Sequence, residues 1–348
     1  MLSDRDKKIY AGKDAVHSFL KPAGVGFSPV IELPDSVNPY NGDQVRIFIK
    51  MVQFMPLFNI KALPAYNMLA NIRPEDLDEI TDLIEYSSGN TVLSLAVFAQ
   101  YFGIPNMHAI ITPDVPASKK RLLQLVGAHL LISHGPASPD VFAQEGGIWE
   151  AKNIGQKKSW HNLNQYINEE NKNASYKYIG KEIWDQIGDD LSIFVASIGT
   201  GGTIYGSGSF LKQQHPNVFI LGTAIQKGSS IPGPRGEVMI HKLGIPWEKV
   251  TDEVISINAY NAFYYSLQLI RLGLFVGPST GMQLAALHQK IDMLKENNQL
   301  DTFRNQRGQI VCSIIGCDTM FPYIDDYFEV LDDQHFHPAR DMDPANNL

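Results

Sequence analysis

The chain has 348 residues, 44% of them hydrophobic and 19% charged, with a formal net charge of −8. This length predicts a globular chain of about two domains. The negative charge argues against nucleic acid or an anionic membrane surface as a partner. The polar amino terminus and the lack of a long apolar run lead us to expect neither a signal peptide nor a membrane anchor. The two cysteines, Cys312 and Cys317, exclude a disulfide framework, form a poor metal site and predict a cytoplasmic protein.

Strand-like and helix-like segments alternate along most of the chain, which predicts an α/β fold with parallel strands and right-handed crossovers. We predict one short helix within the polar residues 1–27. Residues 135–185 are polar, and their sequence predicts no helix or strand with defined ends. The predicted strands are Pro29–Leu33, Val45–Lys50, a short one near Leu83, Met107–Thr112, His129–Ser133, Leu191–Ser197, Val218–Ile225, the start of Phe275–Gly281 and Ile310–Gly316. The predicted helices are Pro64–Ile72, Val92–Tyr101, Ser118–Gly127, Thr203–Gln213 and Ala259–Leu272.

A glycine-dense turn joins a predicted strand to a predicted helix at residues 198–206. The strand before it, Leu191–Ser197, is continuously apolar, as a buried parallel strand is. Such a turn presents free backbone N–H groups and the positive end of a helix dipole to one anion, and glycine permits close approach of the ligand. A tight turn that binds nothing is the alternative. We interpret the turn as a phosphate cradle made of Gly199, Thr200, Gly201, Gly202 and Thr203.

The spacing of these glycines narrows the choice of ligand. The dinucleotide fingerprint G-x-G-x-x-G, counted from Gly199, fails because its last glycine falls on Ile204. The mononucleotide loop fails because Ser207 stands where lysine is required. A nucleotide, and with it a nicotinamide dehydrogenase, is therefore disfavoured. A small phosphorylated cofactor remains.

Two lysines stand at the ends of predicted elements. Lys61 has apolar neighbours and precedes the helix Pro64–Ile72, so it begins an element instead of decorating an exposed face. Lys50 ends the strand Val45–Lys50, and we interpret it as structural or solvated. Lys61 is the candidate for lysine chemistry.

A small polar loop precedes the predicted helix Val92–Tyr101. Its hydroxyl and amide groups stand at a helix amino end, an arrangement that suits a carboxylate. An ordinary N-cap cluster is the alternative interpretation. The side chains concerned are Ser87, Ser88, Asn90 and Thr91.

Four motifs follow one another in order: the lysine before a helix, Ser-Gly-Asn-Thr at 88–91, Gly-Thr-Gly-Gly-Thr at 199–203, and Gly-Pro-Ser-Thr-Gly at 277–281. This set resembles the pyridoxal-phosphate enzymes of the tryptophan synthase β-subunit fold (fold type II). Within them it is most similar to the cysteine synthase (O-acetylserine sulfhydrylase) and cystathionine β-synthase branch. The similarity runs from about residue 28 to about residue 316 and includes Lys119–Gly135 and Asn173–Ile183.

The resemblance implies a domain organisation. It predicts two three-layer αβα domains with twisted, mostly parallel sheets and pyridoxal 5'-phosphate in the cleft between them. Residues 46–164 would form the smaller domain, residues 1–45 with 165–331 the larger, phosphate-binding one, and residues 332–348 a polar tail.

The resemblance also implies a role for each motif. Lys61 would form an imine with the cofactor and later take the α-proton, helped by an apolar pocket that lowers its pKa from about 10.4. The cradle would hold the phosphate, Asn90 would bond the ring hydroxyl, and Ser279 would face the pyridine nitrogen. The substrate carboxylate would be held by Ser87, Ser88, Gly89, Thr91 and Gln165.

The implied reaction follows from Ser279, because a hydroxyl stabilises a protonated pyridine less than a carboxylate does. The resemblance therefore implies β-replacement through an aminoacrylate intermediate on O-acetylserine, serine or a similar β-substituted alanine, with a small nucleophile. A lyase acting on serine or cysteine (a dehydratase or desulfhydrase) is one alternative. A cofactor-binding regulatory homologue with little turnover is another. A cytoplasmic homodimer in cysteine biosynthesis is what the family implies.

Three departures from the family pattern stand out. Residues 59–63 lack the acid–base pair that flanks the family's lysine, Ser87 replaces a threonine, and Ile231–Glu237 differs from the common cysteine synthase stretch. We expect Arg235, within that stretch, to be an exposed arginine, and pairing with a second carboxylate of a larger substrate or nucleophile is the alternative.

Overall fold

The computed structural model describes residues 9–136 and 140–337. Residues 1–8, 137–139 and 338–348 lie outside the described part, so most of the predicted tail is not covered. The strands of the described part are β1 Val30–Glu32, β2 Val45–Lys50, β3 Asp82–Tyr86, β4 Asn106–Ile111, β5 Ala128–Ile132, β6 Trp160–His161, β7 Leu191–Ser197, β8 Phe219–Ile225, β9 Glu253–Ile257 and β10 Ile310–Ile315.

Helices alternate with these strands, and short 3-10 turns join many of them. Tyr176–Gly180 forms a π-helical turn between two helices. The α-helices of the described residues are α1 Ala15–Leu20, α2 Pro22–Val25, α3 Ala62–Ala70, α4 Pro74–Leu77, α5 Asn90–Tyr101, α6 Ala117–Leu125, α7 Gly146–Ile154, α8 Glu169–Ser175, α9 Lys181–Ile187, α10 Gly202–Gln214, α11 Ala259–Arg271, α12 Pro278–Glu296 and α13 Ile324–Val330.

The larger sheet has six strands in the order β1-β2-β10-β7-β8-β9. All neighbours are parallel except β1 and β2. Alternate residues of β7 enter different cores: Phe194 and Ala196 pack with α8, α9 and α10, whereas Ile193 and Val195 pack with α11 and α12. The strand is apolar throughout because helices cover both faces of the sheet.

The smaller sheet is parallel and has the order β5-β4-β3-β6. On one face Leu83 and Met107 pack with α3 and α5. On the other face Ile84 and Ile110 pack with α7. The fold is therefore α/β with two three-layer αβα units, as predicted. Helix α8 contacts both α3 and α10 and so lies where the two units meet.

The structure corrects two boundaries. Residues 46–50, assigned above to the smaller domain, lie in the larger sheet, because β2 pairs in parallel with β10 along its whole length. Residues 274–277 form no strand and connect α11 directly to α12. The apolar residues Leu274 and Val276 pack against the core of the larger sheet without belonging to a strand.

Two further side chains are buried within the larger unit and have structural roles. Cys312 is buried in the core of the larger sheet. The Lys50 side chain is 0% exposed and pairs with Glu182 on α9 at 2.6 Å, so it is structural. Within residues 9–136 and 140–337 no helix combines the length and apolar composition needed to cross a membrane.

Candidate active site

A cavity of about 500 Å³ opens where the carboxyl ends of strands from both sheets face each other. Parallel α/β sheets expose their loops at this end, and ligands generally bind there. Its walls come from the segments that follow five strands: Ser87–Thr91 after β3, Thr112–Pro116 after β4, Gly199–Thr203 after β7, Ser230–Arg235 after β8 and Cys317–Asp318 after β10.

Lys61 is the residue immediately before α3, and its side chain lines the cavity. The preceding backbone is fixed, since the Ile60 N–H donates to the Cys317 carbonyl at 2.6 Å and Asn59 forms an antiparallel bridge with Asp318. Burial lowers the pKa of the Lys61 amine. Cys317 and Asp318 oppose this shift, whereas Arg235 adds to it. The neutral form of an amine is the one that acts as nucleophile or base, and a lowered pKa increases its fraction.

The glycine turn lies beside this lysine. A Cβ on Gly199 would stand 3.1 Å from the Gly233 carbonyl oxygen and 4.0 Å from Lys61 Nζ. Gly201 has a φ of +85° immediately before α10, a conformation that favours glycine. The first N–H groups of α10, which follow the turn directly, have no partner within the helix. The turn is thus shaped to admit an anion next to the Lys61 amine.

Thr200 and Gly202 have different surroundings from the rest of the turn. The Thr200 hydroxyl accepts from Asn171 Nδ2 at 2.9 Å and from the Gly202 N–H at 3.3 Å. Gly202 does not line the cavity; a Cβ there would stand 2.3 Å from Asn171 Oδ1. Gly202 is therefore required for packing against α8, and its backbone N–H, which lies outside the cavity lining, binds Thr200.

The loop Ser87–Thr91 forms the opposite wall. The Ser87 hydroxyl accepts from the Gly89 N–H at 3.3 Å, and α5 begins at Asn90. Thr91 donates through its hydroxyl to Gln165 Oε1 at 2.8 Å. These contacts present polar groups and a helix amino end to the cavity, as an anionic substrate group requires.

Asn90 lines the cavity, and its side chain is directed toward the end of β10. Its Nδ2 donates to Asp318 Oδ2 at 2.7 Å, and the Tyr323 hydroxyl donates to the same oxygen at 2.5 Å. Asp318 is 5% exposed, and burial raises its pKa to about 6. This contact joins the smaller unit to the larger one across the cavity.

Ser279 is the second residue of α12 and is buried at the cavity wall. The nearby Cys317 thiol accepts from Gln283 Nε2 at 3.2 Å, and Ser279 and Gln283 both oppose the rise in its pKa. Burial raises the pKa of Cys317 to about 11, so the thiol is neutral at physiological pH. The Ser279 hydroxyl is therefore held beside a neutral group.

Arg235 is not the exposed arginine that the sequence predicted. It lines the cavity, and its guanidinium donates to the Tyr166 hydroxyl at 2.7 Å. Its Nε is buried and has no hydrogen-bond partner. Its backbone is held at the ends of two strands, since its N–H donates to Ile198 O and its carbonyl accepts from the Ile225 N–H. The cavity therefore contains a guanidinium with unused donor capacity.

The sequence-predicted site residues converge on this cavity, and all except Gly202 line it. Sequence reasoning missed several further lining residues. Asp318 had one usable signal, because it follows the buried strand β10 at the end of the sheet where sites form. The others come from turns or loops without a motif. The missed residues include Asp114, Lys119, Tyr166, Cys317, Asp318 and Tyr323.

A comparison with protein-family models decides the assignment. Residues 22–301 match the family described as "Pyridoxal-phosphate dependent enzyme". The chain belongs to this family. Pyridoxal phosphate is therefore its cofactor, and the protein is a pyridoxal-phosphate-dependent enzyme.

Individual relatives of this pyridoxal-phosphate enzyme are cysteine synthases. It is 30% identical over 305 residues to the cysteine synthase of Aquifex aeolicus (strain VF5), covering 86% of each chain. It is 30% identical over 272 residues to cysteine synthase B of Escherichia coli (strain K12), covering 75% of this chain and 84% of that one. The crystal structure of cysteine synthase (OASS) from Entamoeba histolytica superposes with a TM-score of 0.73 at 20% identity, covering 95% and 94% of the two chains, and shares the fold.

The cavity of this enzyme fits the cofactor. Pyridoxal phosphate needs an amine for its aldehyde and an anion site for its phosphate. Lys61 supplies a buried amine, and the Gly199 backbone lies beside it with no side chain to fill the space. A Cβ at Gly199 would occupy the room between the amine and the Gly233 carbonyl.

Proposed function

We propose that this enzyme catalyses β-replacement in the manner of a cysteine synthase, using O-acetylserine, serine or a similar β-substituted alanine as donor. The observation that supports the proposal is the closeness of Lys61 Nζ to the glycine turn, 4.0 Å from a Cβ built on Gly199. A transferase of this kind would take a small nucleophile and form cysteine or a close relative.

The residues of the cavity would divide the work as follows. Bound pyridoxal phosphate supplies an aldehyde for the lysine and a ring that withdraws electrons from the substrate's α-carbon. Gly199, Thr200, Gly201 and Thr203 would bind its phosphate, with Gly202 as their backbone support. Asn90 and Ser279 would orient the ring. Lys61, with its lowered pKa, would accept the α-proton near neutral pH.

The substrate carboxylate would lie against the amino end of α5. Ser87, Ser88, Gly89 and Thr91 would supply its hydrogen bonds, since all four line the cavity there. Gln165 would act both directly and through its bond with Thr91. Several donors and a helix dipole converge on one anion in this arrangement.

Arg235 supports a narrower form of the proposal. A cavity-lining guanidinium with a buried, unpartnered Nε favours a donor or nucleophile that carries a second anionic group. The Tyr166 hydroxyl, which accepts from Arg235, would hold the guanidinium in place.

The domain division, oligomeric state and location belong to the same proposal. Two units, with the boundary moved to follow β2, would hold the cofactor between them. A cytoplasmic location agrees with two free, buried cysteines, and a homodimer is what the family resemblance implies. Analytical ultracentrifugation of the purified protein tests the dimer.

The experiment that tests the function is a product assay on the full-length enzyme loaded with cofactor. O-acetylserine and related β-substituted alanines are supplied with sulfide or other small nucleophiles, and Lys61→Ala is the matched variant. The proposal predicts a replacement product with the wild type and its loss in the variant. Pyruvate formed without a nucleophile would instead identify a lyase. A coloured, cofactor-loaded protein that turns over none of these donors would identify a regulatory homologue.

A further inference from the structure

The Asp318 carboxylate lies where the elements of the cavity meet. Its backbone carbonyl accepts from the Gly277 N–H at 2.9 Å, next to the segment that carries Ser279. The same residue bridges Asn59, next to Lys61. Its side chain binds Asn90. One residue thus contacts the three segments to which the proposed function assigns the cofactor's lysine and ring contacts.

Hydrogen bonds hold this carboxylate on one side only. Oδ2 accepts from Asn90 Nδ2 and from the Tyr323 hydroxyl, whereas Oδ1 is buried without a partner. A Cβ on Gly277 would stand 2.3 Å from Oδ1, so the carboxylate occupies space that glycine leaves free. A buried carboxylate with half of its acceptor capacity unused is costly unless a nearby cation compensates it.

Lys61 is the cation in the right place. Asp318 and Lys61 both line the cavity and interact electrostatically, each favouring the charged form of the other. Lys119, the other cation that acts on Asp318, already pairs with Asp326 at 3.3 Å. Of the two cations that act on Asp318, Lys61 is therefore the one whose charge changes during the proposed reaction.

The other charged groups around Lys61 do not substitute for Asp318. The Cys317 thiol is neutral below a pKa of about 11. Arg235 is a cation and opposes protonation of Lys61. Among the described residues that line the cavity the carboxylates are Asp114 and Asp318, and Asp114 is exposed. Asp318 is thus the buried negative charge of the site.

We propose that Asp318 is a positioning residue that serves as the counter-charge of Lys61, held in place by Asn90 and Tyr323. It stabilises the ammonium that Lys61 becomes on accepting a proton, and so sets the pH at which the free amine is available. The inference rests on the proposed function, in which Lys61 is the cofactor's lysine. It adds a residue that none of the four sequence motifs contains.

The test uses the full-length protein stripped of cofactor by dialysis with hydroxylamine. The rate at which added pyridoxal phosphate is taken up is followed by absorbance as a function of pH. Uptake joins the neutral Lys61 amine to the aldehyde carbon with loss of one water molecule, so its rate follows the fraction of neutral amine. The readout is the midpoint of this profile, which does not require turnover.

Three variants separate charge from hydrogen bonding. Asp318→Asn keeps an acceptor for Asn90 and Tyr323 but removes the charge, and should lower the midpoint by about 1 pH unit. Arg235→Gln removes an opposing cation and should raise it. Tyr323→Phe keeps the carboxylate but removes one of its two donors, so it should lower the midpoint less than Asp318→Asn does. A wild-type midpoint in Asp318→Asn, or a shift upward, overturns the inference.

Two further measurements cover the remaining outcomes. If Asp318→Asn does not fold, Asp318→Ser removes the same charge, and its midpoint is judged by the same criterion. If neither folds, Tyr323→Phe decides: a lowered midpoint, caused by loss of a donor that favours the charged form of Asp318, supports the inference, and an unchanged midpoint overturns it. Lys61→Ala distinguishes the two proposals, because covalent uptake by this variant would refute the proposed function itself.

Discussion

The backbone N–H of Ile60 donates a 2.6 Å hydrogen bond to the carbonyl oxygen of Cys317. This bond attaches the residue before Lys61 to the end of β10, a strand in the middle of the larger sheet. The amine is therefore positioned by the larger sheet, although α3, which follows it, packs on the smaller one. Because the backbone beside Lys61 is fixed to the larger sheet, substitutions in the surrounding loops should leave the position of Lys61 unchanged.

Gly199→Ala should weaken cofactor binding without destabilising the fold. The new Cβ would stand 3.1 Å from the Gly233 carbonyl and would narrow the space beside Lys61 Nζ. We expect roughly a tenfold loss of affinity for pyridoxal phosphate, about 1.4 kcal/mol, measured by absorbance titration. Gly42→Ala is the control, because a Cβ there meets nothing within 4 Å. Equal affinities of the two variants would argue against a cradle at Gly199.

Arg235→Gln should reduce activity selectively. Donors or nucleophiles that carry a second carboxylate or a phosphate should lose roughly tenfold in kcat/KM, because a charge-assisted hydrogen bond disappears. O-acetylserine with sulfide should be affected much less. Arg73→Gln, an arginine on the surface, is the control. A uniform loss across all substrates would contradict a role in binding a second anionic group and would restrict Arg235 to packing and to the charge balance around Lys61.

Lys50→Met should destabilise the protein while the cofactor still binds. Removing the lysine leaves the Glu182 carboxylate, 9% exposed, without its partner. Loss of one member of a buried pair costs about 3 kcal/mol, measured as the free energy of unfolding in urea. Lys295→Met, at a more exposed pair with Asp43, should cost less than about 1 kcal/mol. If folded Lys50→Met no longer bound the cofactor covalently, Lys50 instead of Lys61 would be the cofactor's lysine.

Glu85 should make the enzyme less stable as the pH rises. Burial raises its pKa to about 8, against a partial opposing effect of backbone N–H donors at Gln165, Tyr86 and Asn164. An acid whose pKa is raised by folding holds its proton in the folded state, so its contribution falls between its unfolded pKa and about pH 8. Glu85→Gln should therefore show a shallower decline over this window than the wild type in urea unfolding. Glu75→Gln is the exposed control, and identical slopes for wild type and Glu85→Gln would contradict the prediction.

Much of the site was predictable because its motifs are local. A phosphate cradle needs a strand, glycines and a helix in succession, so residues 199–203 identify themselves within one short stretch. The continuous apolar character of β7 likewise predicts a strand with both faces covered. The family resemblance supplied what spacing could not, namely the identity of the cofactor and the roles of Lys61 and Ser279.

Other features depend on residues that are distant in sequence. Arg235 belongs to a Gly/Pro loop with no periodicity, and only the backbone contacts with Ile198 and Ile225 turn it into the cavity. The strand β2 was divided by the predicted domain boundary, because nothing local indicates its pairing with β10. Asp318 has no motif around it, and its neighbours come from several elements.

The sequence by itself determined the chemistry that is available: an amine at Lys61, bare backbone at Gly199 and hydroxyl and amide groups before α5. Hydrogen bonding within short segments and the periodicity of buried residues are local, so the order of residues encodes them directly. The tertiary structure decided which charges face that chemistry, bringing Arg235 and Asp318 to Lys61 from separate loops. Electrostatic interaction depends on distance through space and on burial, and neither quantity can be read along the chain.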